Sequence, residues 1–232
     1  MIERRPFSEL AAEDRDWLKA RHHFRFSGGA NCASTAWGSL RIWNDDEIAP
    51  GTGFPPHAHA NMEIVTYVRE GTVTHRDSLG NEGKTKAGDV QVMSAGTGIR
   101  HAEYNTEQVP ALIFQIWITP DSNGGAPAWG SQPFPKADRS GRLVALASGF
   151  DSDIDALPIR ARARVLGARL EVGQSVEYAF GERRHAYLVP ASGTVDVNGV
   201  KIHARDGAAI TDVAIVRIAA IEDAEVVMVD VP

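Results

Sequence analysis

The chain has 232 residues, 43% of them hydrophobic, and a formal net charge of −6. That is enough for one large or two small domains with a sizeable core, and the mild acidity excludes the basic footprint of a nucleic-acid-binding protein. A single cysteine, Cys32, excludes an intrachain disulfide and a thiolate metal cluster, and no apolar run approaches the roughly 20 residues that span a bilayer.

The N-terminus, MIERRPFSEL, lacks the apolar stretch of a secretory signal, so the expected location is the cytoplasm, without membrane attachment. SELAAEDRDWLKA admits two readings: a short helix capped by Ser8, or an ordered arm, since Asp14 and Asp16 suit a helix interior poorly. His22 and His23 follow on this arm; they are within reach of a pocket mouth but are expected at the surface. From Trp37 the pattern turns to β. SLRIW alternates, MEIVTYV and TVTHRDS flank Gly71, and SLGNEG reads as a hairpin turn on Gly80 and Asn81. VQVM and ALIFQIWI continue the β pattern, and no helix is expected between residues 35 and 120.

Residues 119–141 are rich in Gly, Pro, Ser and Asp and read as a linker between two domains. Strand-like runs resume with RLVALAS, RVLGARLEV and HAYLVP. TVDV and VKIH are joined by Asn198-Gly199, a strong two-residue hairpin signal. VAIVRIAA and EVVMVDV close the chain. The halves share a spacing: Gly51, His57, His59, Glu63 and Gly71 recur at the same offsets as Gly173, Ala179, Gly181, His185 and Gly193. Turn glycines are kept and polar positions are not, which indicates a duplicated β-barrel whose second copy lacks the chemistry of the first.

That chemistry is read from histidines. Side chains at i and i+2 of a strand share a face, so His57 and His59 can grip one ion. His101-Ala102-Glu103 repeats the geometry. Strands facing one another inside a barrel would bring three imidazoles and a carboxylate together, a set that suits Fe, Ni, Cu, Mn or Zn. Four protein donors on a six-coordinate ion leave two open positions. Strand parity admits Glu63 or Glu103 as the carboxylate. His75 is expected to hydrogen-bond within its turn, with a role as a metal ligand as the second reading. His185 and His203 have no partners at matching offsets, so a second metal site is not expected. Cys32 has no cation nearby in sequence and reads as an inert thiol.

Residues 53–105 contain HAHANMEIVTYV, HRDSLGNEG and SAGTGIRHAEYN. These segments resemble the pirin family of bicupins, in the branch regarded as quercetin 2,3-dioxygenase-like. The resemblance is dense over roughly residues 15–120 and thinner beyond. Against the general cupin pattern, Gly71 arrives one residue late. Gly88, Gly98, His101 and Asn105 fit a stretched second motif, with Ser94 in place of the usual proline.

The resemblance implies an all-β chain of two jelly-roll barrels in tandem: a metal-binding cupin over residues 1–135 and a degenerate cupin over 136–232, the latter a packing platform or lid. It implies His57, His59, His101 and Glu103 as ligands of one divalent transition metal, Fe(II) first, with Ni, Cu, Mn, Zn or Co admitted. Glu63 would then orient a ligand imidazole. It implies a dioxygenase acting with O₂ on a flavonol such as quercetin, whose heterocycle opens with loss of carbon monoxide. Glu103 would serve as general base, and Phe54, Met93 and Ile113 would exclude water. Two alternatives stay open: a redox-sensing regulator that binds a protein partner, and a metal-binding relic. A monomer is expected.

Overall fold

The computed structural model describes residues 1–24, 36–134 and 139–232. Cys32 and the expected domain boundary at residues 135 and 136 lie outside the described residues.

Among the described residues, the named elements are strands and one 3₁₀ turn at Phe7–Glu9. Four sheets form two barrels. In the first barrel a seven-stranded sheet runs in the order Ala128–Gln132, Val90–Ser94, Glu63–Glu70, Ala111–Ile118, Leu40–Ile48, Leu18–His22, Ala11–Arg15. Opposite it stands a four-stranded sheet of Gly53–His59, Ile99–Tyr104, Thr72–Asp77 and Glu82–Lys86. The second barrel repeats the plan. Its large sheet contains His185–Ser192 and Ala224–Val231 at the centre, and its small sheet is built from Ser175–Ala179, Ile215–Ala220, Val195–Val197 and Val200–Ile202.

The duplication read from the glycines is carried by backbone conformation. Gly71 and Gly193 end matched strands with φ of 74° and 72°. A Cβ at Gly71 would stand 2.6 Å from the Pro110 carbonyl oxygen, and one at Gly193 2.2 Å from that of Asp223. Only glycine fits a left-handed turn against a crossing strand.

The two large sheets face each other, and this explains continuous apolar runs such as ALIFQIWI and EVVMVDV. Trp43, Val65, Tyr67, Phe114 and Ile116 of the first barrel share one buried cluster with Tyr187, Val189, Val227 and Val229 of the second. The opposite faces of the same strands fill the barrel interiors. A strand buried on both sides reads as a continuous hydrophobic stretch.

Polar groups tie the joint. Asp45, fully buried, pairs with Arg69 at 2.5 Å and with Arg205 of the second barrel at 2.6 Å. Arg139 is 1% exposed and donates to Glu225 at 3.0 Å and to the Tyr67 hydroxyl at 3.2 Å.

Three expectations are corrected here. The segment after Ser8 is not a helix: Ala11–Arg15 and Leu18–His22 form a hairpin, because Leu18 and Ala20 alternate into the barrel. Residues 119–141 are not merely a linker, since Ala128–Gln132 extends the first large sheet alongside Val90–Ser94. His23 is not at the surface but sits between the barrels, with Nδ1 2.9 Å from the Tyr187 hydroxyl. The chain also crosses over at its start, where Ile2–Arg5 pairs with Gly207–Thr211 of the second barrel.

Candidate metal centre

Register brings the histidines together. In the small sheet of the first barrel His101 is directly opposite His57 on one side and Asp77 on the other, and Glu103 is opposite His75. Directly opposed residues share a face, so these side chains all project inward. His59 joins them from i+2 of His57. Ring centroids of His57, His59 and His101 lie 4.5 to 5.0 Å apart. Their donor atoms all fall within 4.8 Å of one another, and so do those of a second trio, His75, His101 and Glu103.

Glu103 is held by one row of the large sheet. Gln91, Thr66, Gln115, Asn44 and His22 stand side by side across five strands. Gln91 donates to Oε1 at 2.5 Å, Thr66 to Oε1 at 3.2 Å and Gln115 to Oε2 at 2.7 Å. Burial nevertheless wins over these donors and pushes the Glu103 carboxyl up to about 7. Nδ1–H of His22 donates to Oδ1 of Asn44 at 2.8 Å, and both residues line the cavity.

Burial favours the neutral form of His59, His75 and His101, the form that binds a metal. Burial, with the neighbouring histidines adding, lowers His101 to about 3 and His59 to about 4. Burial also lowers His75, against the pull of Asp77. Buried nitrogens without a hydrogen-bond partner include Nε2 of His59, Nδ1 of His75 and both ring nitrogens of His101. Buried polar atoms are almost always satisfied. Several bare lone pairs converging in one place fit a cation, and three imidazoles with a carboxylate suit a divalent transition ion.

A cavity of about 360 Å³ opens onto His57, His59 and Glu103. Its walls are Trp17, Leu18, Phe54, Pro55, Pro56 and Trp117. Trp117 meets His59 edge-on with centroids 4.8 Å apart. Of the three apolar residues expected around the site, Phe54 lines the cavity. Met93 and Ile113 instead belong to neighbouring core clusters.

Glu63 does not face the site. It opposes Ile118 on the face that carries Val65 and Tyr67, and it accepts a hydrogen bond from Ser94 at 2.5 Å. Parity with His59 fails because the chain leaves the strand between them, turning at Asn61 with φ of 52°. Trp17, Trp117, Gln91, Gln115 and Asp46 were not anticipated. A usable signal was present: a lone polar residue inside an apolar strand, as in VQVM and ALIFQIWI, marks the row that faces the site.

In the second barrel Ala179 and Gly181 occupy the positions of His57 and His59, and His185 packs against Trp37 at 5.6 Å. His203 lies 3.4 Å from Thr194. Among the described residues, both groups able to hold a metal lie in the first barrel.

Comparison with known proteins agrees with this architecture. Residues 4–118 match the pirin family model, and residues 145–231 match that of the quercetinase C-terminal cupin domain. A pirin-like protein of Caulobacter vibrioides is 63% identical over 230 residues, covering 99% of each chain. The chain belongs to the pirin family. This pirin is also 39% identical over 233 residues to the Escherichia coli K12 protein named quercetin 2,3-dioxygenase, covering 100% of this chain and 99% of that one. The crystal structure of the bacterial pirin YhhW from Escherichia coli in complex with nickel(II) superposes with a TM-score of 0.91. Identity is 36%, with 100% of this chain and 99% of that one covered. No helix among the described residues is long and apolar enough to cross a membrane.

Proposed function

We propose that this pirin is a metal-dependent dioxygenase that opens a flavonol-like aromatic ring with O₂, using His57, His59, His101 and Glu103 as the donors of one divalent transition ion. The observation that carries this reading is the convergence of His57, His59 and His101, with His57, His59 and Glu103 also lining a cavity walled in part by Trp17, Phe54 and Trp117. Cavities for small ligands typically run from about 300 to 1,000 Å³, and this one, at about 360 Å³ with aromatic walls, suits a planar ring system. The names of its relatives and the nickel complex of one of them support the same reading.

A bound ion would supply Lewis acidity and an electron path to O₂. The chain's own groups do the rest. Trp17, Phe54 and Trp117 hold the aromatic plane and exclude water. Glu103 stands at the cavity end with a carboxyl pKa of about 7, the range in which a carboxylate works as a general base. It takes the proton of the ring hydroxyl beside the carbonyl, which makes that ring electron-rich enough to react with O₂. Gln91, Thr66 and Gln115 keep the carboxylate aimed while its charge changes. Both oxygen atoms enter the product, and one ring carbon leaves as carbon monoxide.

The test is O₂ uptake and carbon monoxide release with quercetin, comparing metal-free protein with Fe-, Ni-, Cu- and Mn-loaded protein. Metal-dependent turnover that disappears in His57→Ala supports the reading. Absence of turnover with every metal overturns it.

A further inference from the structure

His75 is held in a way that a purely structural histidine does not require. Its side chain is 1% exposed, and its Nε2 lies 3.1 Å from Oδ2 of Asp77. The Asp77 carboxylate is itself fixed by the backbone N–H groups of Leu79 and Asn81 and by the Asn81 amide, at 2.9 to 3.1 Å. A carboxylate only accepts, so the ring proton sits on Nε2 and the lone pair on Nδ1. Trp129 stacks on the ring with centroids 4.7 Å apart and planes 6° from parallel, which sets its orientation. The remaining edge, Nδ1, is buried and meets no donor. His75 belongs to the trio whose other members are His101 and Glu103, all buried and with donor atoms within 4.8 Å of one another.

We infer that His75 is a metal-directed donor, oriented by Asp77, which forms with His101 and Glu103 an inner face of the centre beside the outer face of His57, His59 and His101. The ligand class is a divalent transition ion that accepts imidazole nitrogen. His101 belongs to both faces, and neither of its ring nitrogens has another partner. A carboxylate behind an imidazole fixes the tautomer and raises its basicity as a ligand, and Asp77 stands in that position. His75 is directly opposite Glu103 in the register of the small sheet, which places the imidazole beside the carboxylate. This inference rests on the metal centre proposed above.

The experiment is Co(II) titration of metal-free wild type, His75→Phe and Asp77→Asn, read by visible absorption and by affinity. Phenylalanine keeps a ring against Trp129 and removes the nitrogen. The expected result for His75→Phe is Co(II) binding weakened by at least about tenfold and altered visible bands, with a smaller loss of affinity in Asp77→Asn. Thermal melting of the metal-free proteins separates loss of fold from loss of a ligand. His75→Gln, whose amide can still reach Asp77, replaces the phenylalanine variant if that does not fold, and the same changes are expected. Wild-type affinity and unchanged bands in the folded variant overturn the inference and leave the centre standing. Absence of Co(II) binding in the wild type removes the centre and this inference together.

Discussion

The side-chain amide of Gln115 donates to Oε2 of Glu103 at 2.7 Å, from the strand Ala111–Ile118 across the barrel interior. Replacing it with methionine keeps the volume and removes a donor that favours the ionised carboxyl. The Glu103 pKa, already raised to about 7 by burial, then rises further. Gln115→Met is expected to weaken Ni(II) binding by about tenfold at neutral pH and to move the pH of half-maximal binding upward. Calorimetric titration at several pH values measures both.

Glu63 occupies the glutamate position of the general cupin motif but faces Ser94 on the other side of the sheet. Glu63→Gln is therefore expected to leave metal stoichiometry and affinity unchanged within about twofold. A loss of the order expected for a ligand would show that the strand turns over in solution.

Much of this was legible in the sequence. The period-two pairs His57/His59 and His101/Glu103 mark residues that the fold brings together, and the matched glycines mark the duplication, because strand periodicity is local. Glu63 was misread because parity was counted through Asn61, whose positive φ ends the count. His75 was assigned to its turn, and it does bond to the turn residue Asp77. Its alternation with Val73 and Asp77 already placed it on the inner face. The Gln91–Thr66–Gln115 row depends on pairing between strands far apart in sequence, which no local pattern encodes. The helix considered at Ser8 failed because a tertiary neighbour, the strand Leu40–Ile48, recruits Leu18–His22 as an edge hairpin.

Asp46 adjoins the cavity with both carboxyl oxygens buried and unpartnered. Burial first, then the charges of Asp45 and Glu103, raise its pKa well above the ordinary 3.8. For a carboxyl raised on folding, ionisation opposes the folded state. The penalty is absent below the unfolded pKa, grows as pH rises past it, and is complete above the folded value. Asp46→Asn is expected to stabilise the metal-free protein by about 1–2 kcal/mol at alkaline pH, with the gain shrinking as pH falls towards 3.8. Urea unfolding across that range checks the magnitude and the sign.

Arg139 joins the barrels through Glu225, the Tyr67 hydroxyl and the Gly88 carbonyl. Removing one member of a buried ion pair takes away charge that offsets the other, although the Tyr67 hydroxyl still donates to Glu225. Arg139→Met is expected to cost about 3 kcal/mol in urea unfolding, and Glu225→Gln in the same background should recover part of it.

Calorimetric titration of Ni(II) into metal-free wild type and His101→Ala tests the proposed centre most directly. His101 belongs to both donor trios, so its loss should abolish stoichiometric binding, whereas the wild type takes up one ion per chain. Undiminished binding in His101→Ala would contradict the centre described for the first barrel.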